Sequence, residues 1–524
     1  MQTFPWLSAL GVVPLVGAVL LYLPFVRDRM AKILALVTSL IVLAMTIVMS
    51  LGFAADGPRF QFVETYEWIP RFGVQYAVGV DGIALVLIAL SAVLVPIVIL
   101  AAWHDADPTE GVPRRSVKTY FALMLVLETF MIGVFAATDV FLFYVFFEAI
   151  LFPMYFLIGS YGGPKRSYAA VKFLLYSLVG GLLMLAAVIG LYVVGNDQLP
   201  GATGTFAFEQ LLGLDISPGV EKALFLGFFS AFAIKAPLWP VHTWLPDAAA
   251  QATPGSAVLL VGVLDKVGTF GMLRYLLPLF PDASSFFTPF VITLAVIGIL
   301  YGALLAIGQT DMKRLIAYTS VSHFGFIALG IFAMTTLGGT GATLYMVNHG
   351  VSTGALFVIA GFLVARRRST LIPDYSGVQS VAPWLAGSFL IAGLSSLALP
   401  GLSTFVSEFL VLVGTFVRYQ VAAVLATLGI ILASVYILLM YQRTMTGAVA
   451  PGMEKTRDLG FREAWVVAPL IALLIGLGVY PKPVLDVIEP AIQRTMQDAG
   501  QQDPQPTVPV TPDAAGTTTT GEGE

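Results

Sequence analysis

The amino-acid sequence predicts an all-α polytopic membrane protein, and three observations predict it. Of 524 residues, 58% are hydrophobic and only 11% charged, whereas soluble domains run near a quarter charged. Mean hydropathy is +0.88. Apolar runs recur from end to end, many about twenty residues long, enough to cross a hydrocarbon core of about 30 Å at about 1.5 Å per residue. A soluble chain of this length would split into several domains, and charge this sparse cannot cover them. A net charge of −4 gives nucleic-acid binding no support. With no cysteine, disulfides, thiol catalysis, cysteine-ligated zinc and iron–sulfur clusters are excluded. The four histidines, His104, His242, His323 and His349, are too few for a haem–copper core. A di-haem cytochrome would need all four, and His104 lies in a charged loop. The expected chain carries no cofactor, metal or redox centre of its own.

Fourteen candidate spans follow in order, at roughly 5–25, 31–52, 82–102, 117–137, 139–159, 168–193, 221–251, 254–278, 288–308, 312–332, 339–365, 383–416, 421–442 and 463–485. The first has no basic residue ahead of it and no small-residue cleavage region after it, so it reads as a span rather than a signal peptide. The seventh and twelfth are too long for one plain crossing and carry proline in the middle: Pro237 and Pro240 in one, Pro400-Gly401 in the other. Proline removes a helix hydrogen bond and clashes with the preceding turn. Both are therefore predicted to break, which is tolerable at membrane depth only inside protein or beside a wet cavity. The breaks stand five helices apart, which predicts a five-helix repeat whose second copy is inverted, a pattern of ion and proton transporters. Loops after odd-numbered helices hold eighteen of the 27 basic residues, Arg114 among them, and the opposite side six. That bias puts both termini on the non-cytoplasmic side. The Pro/Thr/Gly-rich tail from about 497 is predicted to be disordered.

Ionisable groups at bilayer depth are expensive and are functional candidates by default. Glu148, Lys235, Lys266, His323, His349 and Glu408 all fall inside spans. Burial disfavours an ammonium, a nearby carboxylate opposes this, and imidazole titrates near neutrality. The row alternates acid, base and shuttle, which suits a proton relay; the competing reading is buried pairs that only fix helix registry. Four residues stand below the row. Asp139 heads the fifth helix and suits a cap. Asp265 adjoins Lys266 but is expected on another helix face. Glu128 is mid-helix, and His242 is open to a structural or a relay reading. Asp247 is expected to cap the half-helix after the first break, Arg274 to anchor at the interface, and His104 to lie in a solvated loop.

Four segments resemble a known family. HTWLPDAAAQATPGSAVLLVGVLDKVGTFGMLR at 242–274 and DMKRLIAYTSVSHFGFIALG at 311–330 resemble signatures of the antiporter-like subunits of respiratory complex I, the NADH–quinone oxidoreductase. MVNHGVSTGALF at 346–357 and PGLSTFVSEFLVLVGTF at 400–416 resemble the subunit M (subunit-4) branch, and the likeness runs through most of 80–445. The resemblance implies fourteen helices: an N-terminal three-helix segment (1–110), a first five-helix repeat (111–280, helices four to eight), an inverted second repeat (281–445, helices nine to thirteen), then a last helix with its flanks (446–496) and the tail (497–524). It implies Glu148 and Lys235 as a modulating ion pair, Lys266 as the central lysine, His323 and His349 as the histidine relay and Glu408 as the terminal residue. Sister subunits usually have lysine at that last position, and relatives often have leucine where this chain has Asp265. The implied function is proton pumping in the cell inner (plasma) membrane, beside two homologous subunits, membrane lipids and the rest of the membrane arm, with FMN, iron–sulfur clusters and quinone in other subunits. The rivals are a multi-subunit cation/proton antiporter, a membrane-bound hydrogenase arm, or a structural scaffold.

Overall fold

The computed structural model describes residues 4–107, 115–199 and 204–504. The helices are α1 (Trp6–Leu20), α2 (Asp28–Leu51), α3 (Gly82–Ala101), α4 (Val117–Ala136), α5 (Val140–Tyr161), α6 (Arg166–Gln198), α7a (Pro218–Lys235) and α7b (Trp244–Gln251), α8 (Pro254–Leu279), α9 (Pro281–Ile307), α10 (Met312–Phe332), α11 (Thr336–Arg367), α12a (Pro383–Ser396) and α12b (Ser403–Phe416), α13 (Gln420–Met445), α14 (Phe461–Val479) and α15 (Lys482–Asp498), with short turns between. Eleven helices among the described residues are long and apolar enough to cross a membrane, and α1 and α12b are shorter apolar helices.

Side-chain caps start several spans. Asp81, Ser116, Asp139, Thr253, Asp311 and Thr335 each accept the amide of the residue three further on, at 2.8–3.4 Å. Such a cap satisfies an orphan donor and stabilises by about 1 kcal/mol. The helices sort into a buried centre and an apolar rim. α8, α10 and α11 are almost wholly enclosed, whereas α2, α6, α13 and α14 turn much of their surface outward, with Leu182, Val421 and Ile431 exposed. The candidate relay therefore lies on and around the innermost helices, where an ionisable side chain meets protein instead of lipid. Glycine lets these helices approach backbone to backbone. A Cβ on Gly350 of α11 would stand 2.7 Å from the Gly262 carbonyl of α8, and one on Gly268 of α8 would stand 2.5 Å from the Phe232 carbonyl of α7a.

Three features differ from the sequence expectation. An antiparallel hairpin, β1 (Gln61–Ile69) with β2 (Val74–Val80), fills the connection before α3. Its Glu64 carboxylate accepts the amides of Leu7 (2.8 Å) and Ser8 (3.2 Å), supplying the cap that Pro5 cannot give α1. α9 begins at Pro281 instead of near 288, because proline suits the first helical turn. The span expected over 463–485 stops at Val479, and α15 restarts at Lys482 and runs to Asp498. Gln501 then hydrogen-bonds Arg418 at 2.9 Å. Residues 505–524 of the expected tail, and Arg114, lie outside the described residues.

Candidate functional site

Both predicted breaks are present. α7a ends at Lys235, just before Pro237, and the chain resumes as helix at Trp244. The carbonyl of Ile234 freed there accepts the Trp244 indole N–H at 2.8 Å, which satisfies a polar group at depth. Lys235 is the last residue of its half-helix, where the macrodipole favours a cation. Its ammonium has no hydrogen-bond partner and stands 4.5 Å over the Phe147 ring, a geometry that partly replaces hydration. Glu148, the next residue along from Phe147 on α5, also leaves Oε1 unpartnered. Its carboxylate occupies space that only glycine at position 181 leaves open, since a Cβ there would lie 1.8 Å from Oε1. The two groups expected as an ion pair thus face one region without closing a bond. His242 sits in the break with neither ring nitrogen bonded and its ring edge-on to Tyr301 at 5.2 Å. Asp247 does not cap α7b; it bridges Lys172 of α6 (2.6 Å) and Arg314 of α10 (2.5 Å), because two cations outcompete a backbone amide for it.

Lys266 lies between two π-helical turns of α8, Leu260–Leu264 and Met272–Leu276. Such turns displace backbone carbonyls from the regular ladder and recur at functional sites. The ammonium curls back to the Val261 carbonyl (2.5 Å), meets Asp265 Oδ1 (2.9 Å) and reaches His349 Nδ1 on α11 (2.6 Å). Asp265 therefore contacts Lys266 directly, contrary to the expectation of separate faces; consecutive side chains diverge on a helix, but the long lysine stem folds back to meet it. His349 Nε2 lies 3.2 Å from Ser320 Oγ, and the His349 and His323 rings are 5.4 Å apart at 86°. His323 leaves Nδ1 unpartnered.

At the second break the helix stops at Ser396 and restarts at Ser403. Gly401 takes a φ of +92°, and Ala398 is held at +61°, a conformation costly for a residue with a Cβ. Ser395 Oγ lies within 3.4 Å of the hydroxyls of Ser403 and Thr404, and Asn348 Nδ2 donates to the Ser403 carbonyl at 2.6 Å. Glu408 on α12b accepts the Tyr345 hydroxyl at 3.4 Å. The Tyr345 ring is 5.7 Å from that of His323. Tyr345 was missed in the sequence; its signal is the four-residue step to His349, which puts both on one face of α11.

The central groups form one buried file, from Lys266 through His349, His323 and Tyr345 to Glu408, each at most 4% exposed. Glu148 and Lys235 stand at its α7 end. The remaining candidates lie apart. Asp139 caps α5 through Leu142 N (2.9 Å) and takes Gln75 N of the hairpin (3.1 Å). Glu128 is fully buried on α4 with both oxygens unpartnered. Arg274 is no interfacial anchor, since it forms a buried ion pair with Asp81 at 2.7 Å between the Phe60 and Phe270 rings. Exposed His104 contacts Asp107 at 2.6 Å. No group of three or more metal-ligating side chains occurs among the described residues.

The family model described as NADH:quinone oxidoreductase/Mrp antiporter, TM, matches residues 137–433. NADH-quinone oxidoreductase subunit M of Mycobacterium tuberculosis is 55% identical across the whole of both chains. A chain in the structure of respiratory complex I from Thermus thermophilus with bound NADH superposes with a TM-score of 0.84 at 32% identity, covering 94% of this chain and 100% of that one. The Mrp complex of a Dietzia species shares the fold, with a TM-score of 0.82 at 21% identity over 95% of this chain and 100% of that one. The chain belongs to the NADH:quinone oxidoreductase/Mrp antiporter transmembrane family, on its subunit M branch.

Proposed function

We propose that this chain is a proton-pumping membrane subunit of an NADH–quinone oxidoreductase. The observation that carries the reading is the buried file from Lys266 to Glu408, in which lysine, imidazole, phenol and carboxyl groups follow one another through the middle of the bundle. Quinone reduction, with its FMN and iron–sulfur clusters, belongs to other subunits; this chain contributes charge movement.

In this mechanism the first break sets the input. The attraction between two unit charges 4 Å apart is worth ~4 kcal/mol at an effective dielectric near 20. Closing or opening the gap between Glu148 and Lys235 therefore shifts the balance between the charged and neutral forms of Lys235 by about a thousandfold, enough to switch that lysine between holding and releasing its proton. Lys266 holds the proton against Asp265 and the Val261 carbonyl and passes it to His349 Nδ1. His323 and Tyr345 continue the path, and Glu408 ends it. The two breaks suit two inverted five-helix units, α4–α8 and α9–α13, each with one interrupted helix. The basic-residue bias supports a topology with the α3–α4, α5–α6 and α11–α12a loops in the cytoplasm and both termini across the inner membrane. The exposed apolar flanks suit homologous neighbours and lipid. The 55% identity to a subunit M favours this reading over a stand-alone antiporter or a hydrogenase arm.

Lys235→Ala in the assembled complex tests it. The substitution removes no hydrogen bond, so assembly and bound flavin should persist while NADH-driven proton uptake into inverted vesicles falls by roughly tenfold or more. Unchanged proton uptake per NADH oxidised would refute the relay.

A further inference from the structure

The proposed relay does not use Glu128, a carboxylic acid sealed in the bundle with neither oxygen bonded. A buried acid without partners is costly to keep, and its placement explains why one would stand there. Thr129 donates to the Gly11 carbonyl of α1 at 2.8 Å, and Gly133 packs on the Phe146 ring of α5, so that face of α4 looks toward α1 and α5. Tyr120 and Phe135 look the other way, toward α8: the Tyr120 hydroxyl is 2.7 Å from Thr253 Oγ1, and the Phe135 and Phe270 rings are 5.2 Å apart. Glu128 is seven residues, about two turns, before Phe135 and so shares its direction. α4 and α8 run parallel, and these two contacts put Glu128 level with residues 261–263 of α8. The Lys266 ammonium, folded back onto the Val261 carbonyl, sits at the same depth.

Below this acid, at the α3–α4 loop, lies a polar cluster. Asp105 is half-buried and accepts the Tyr120 hydroxyl (3.3 Å) and the Gly255 amide (3.5 Å). Thr253 Oγ1 donates to Ser256 Oγ at 2.9 Å, and Lys313 donates to the Ala252 carbonyl at 2.6 Å. The cluster reaches the loop surface at Asp105 and ends inside at Tyr120, two turns of α4 below Glu128.

We propose that Asp105, Tyr120, Thr253 and Ser256 form the inlet through which protons reach the central lysine, and that Glu128 is its inner station. The inference rests on the proposed pumping function and names the route that loads it. A proton moves from the aqueous loop along the hydroxyl cluster and intervening water to the Glu128 carboxylate. It leaves Glu128 through water between α4 and α8 for the Asp265–Lys266 pair as Lys266 gives its own proton to His349. One proton enters, one departs, and no other reactant is required.

The test is NADH-driven proton uptake by inverted vesicles carrying Glu128→Gln or Tyr120→Phe, with Lys235→Ala alongside. Glu128→Gln should cut protons taken up per NADH by roughly tenfold or more without loss of assembled complex. Tyr120→Phe should cause a smaller fall that deepens as the pH rises and the supply of protons drops. Infrared difference spectra of the NADH-treated complex should contain a protonated-carboxyl band that Glu128→Gln removes, which a purely packing role would not produce. If Lys235→Ala pumps normally, the functional reading itself has failed. If Lys235→Ala is defective but Glu128→Gln and Tyr120→Phe pump normally and the band persists in Glu128→Gln, the inlet alone is overturned. Should Glu128→Gln not assemble, Tyr120→Phe and the wild-type band decide: normal uptake by Tyr120→Phe, or absence of the band, overturns the inlet.

Discussion

The two central lysines sit in opposite surroundings. Lys235 ends a broken helix, touches an aromatic face and has no hydrogen-bond partner. Lys266 lies in an unbroken helix and has a carbonyl, a carboxylate and an imidazole within 2.9 Å. A cation without fixed partners can change position at small cost. A cation held by three groups keeps its place while its proton moves. Under the proposed function, the contrast suits the first lysine to switching and the second to storage, although both are buried lysines.

The largest expected effect that sharpens this contrast is on Lys266→Ala. It should stop pumping and also destabilise the subunit by about 3–5 kcal/mol, because it strands Asp265, fully buried beside it. Lys235→Ala should lose pumping with little loss of stability. Thermal unfolding of the purified complexes measures the difference, and equal destabilisation of the two variants would break the comparison. Gly181→Ala comes next. The new methyl must displace the Glu148 carboxylate, the movable end of a side chain, so folding should survive while proton uptake drops several-fold. Glu148→Asp should lose less than Gly181→Ala, since the charge is kept and only its reach shortens; proton uptake by vesicles ranks the two.

The smallest effect lies at the rim. Burial would raise the Asp107 carboxyl, but hydrogen bonds from Lys32 and His104 outweigh it and hold the group below its ordinary value. Its contribution is complete above the ordinary aspartate value of about 4 and fades as the pH falls through the lowered folded value. The hydrogen-exchange protection of the 102–107 turn, corrected for the slower intrinsic exchange in acid, should therefore fall on acidification in the wild type. Asp107→Asn should exchange faster already at neutral pH and lose that acid-dependent step.

Much of this arrangement was legible in the residues. Charges inside apolar runs marked Glu148, Lys235, Lys266 and Glu408, and the prolines marked both breaks, because each is a local violation of what lipid permits. Contacts between distant segments were not legible. Asp247 looked like a cap because its partners Lys172 and Arg314 are 75 and 67 residues away. The Arg274–Asp81 pair was hidden for the same reason. The direct Asp265–Lys266 contact depends on how the lysine stem folds between two π turns, which helical periodicity does not reveal. The hairpin over 61–80 escaped because its nine-residue first strand is too short and too polar to register among twenty-residue apolar runs.

The glycines at 262, 268 and 350 have a mechanical meaning. With no side chain between them, α8 is riveted to α11 on one flank and to α7a on the other, main chain against main chain. A rod fixed in that way cannot glide like a piston. Whatever message arrives from a neighbouring subunit must cross this keel as a redistribution of electric potential and of side-chain rotamers, with the scaffold itself standing still.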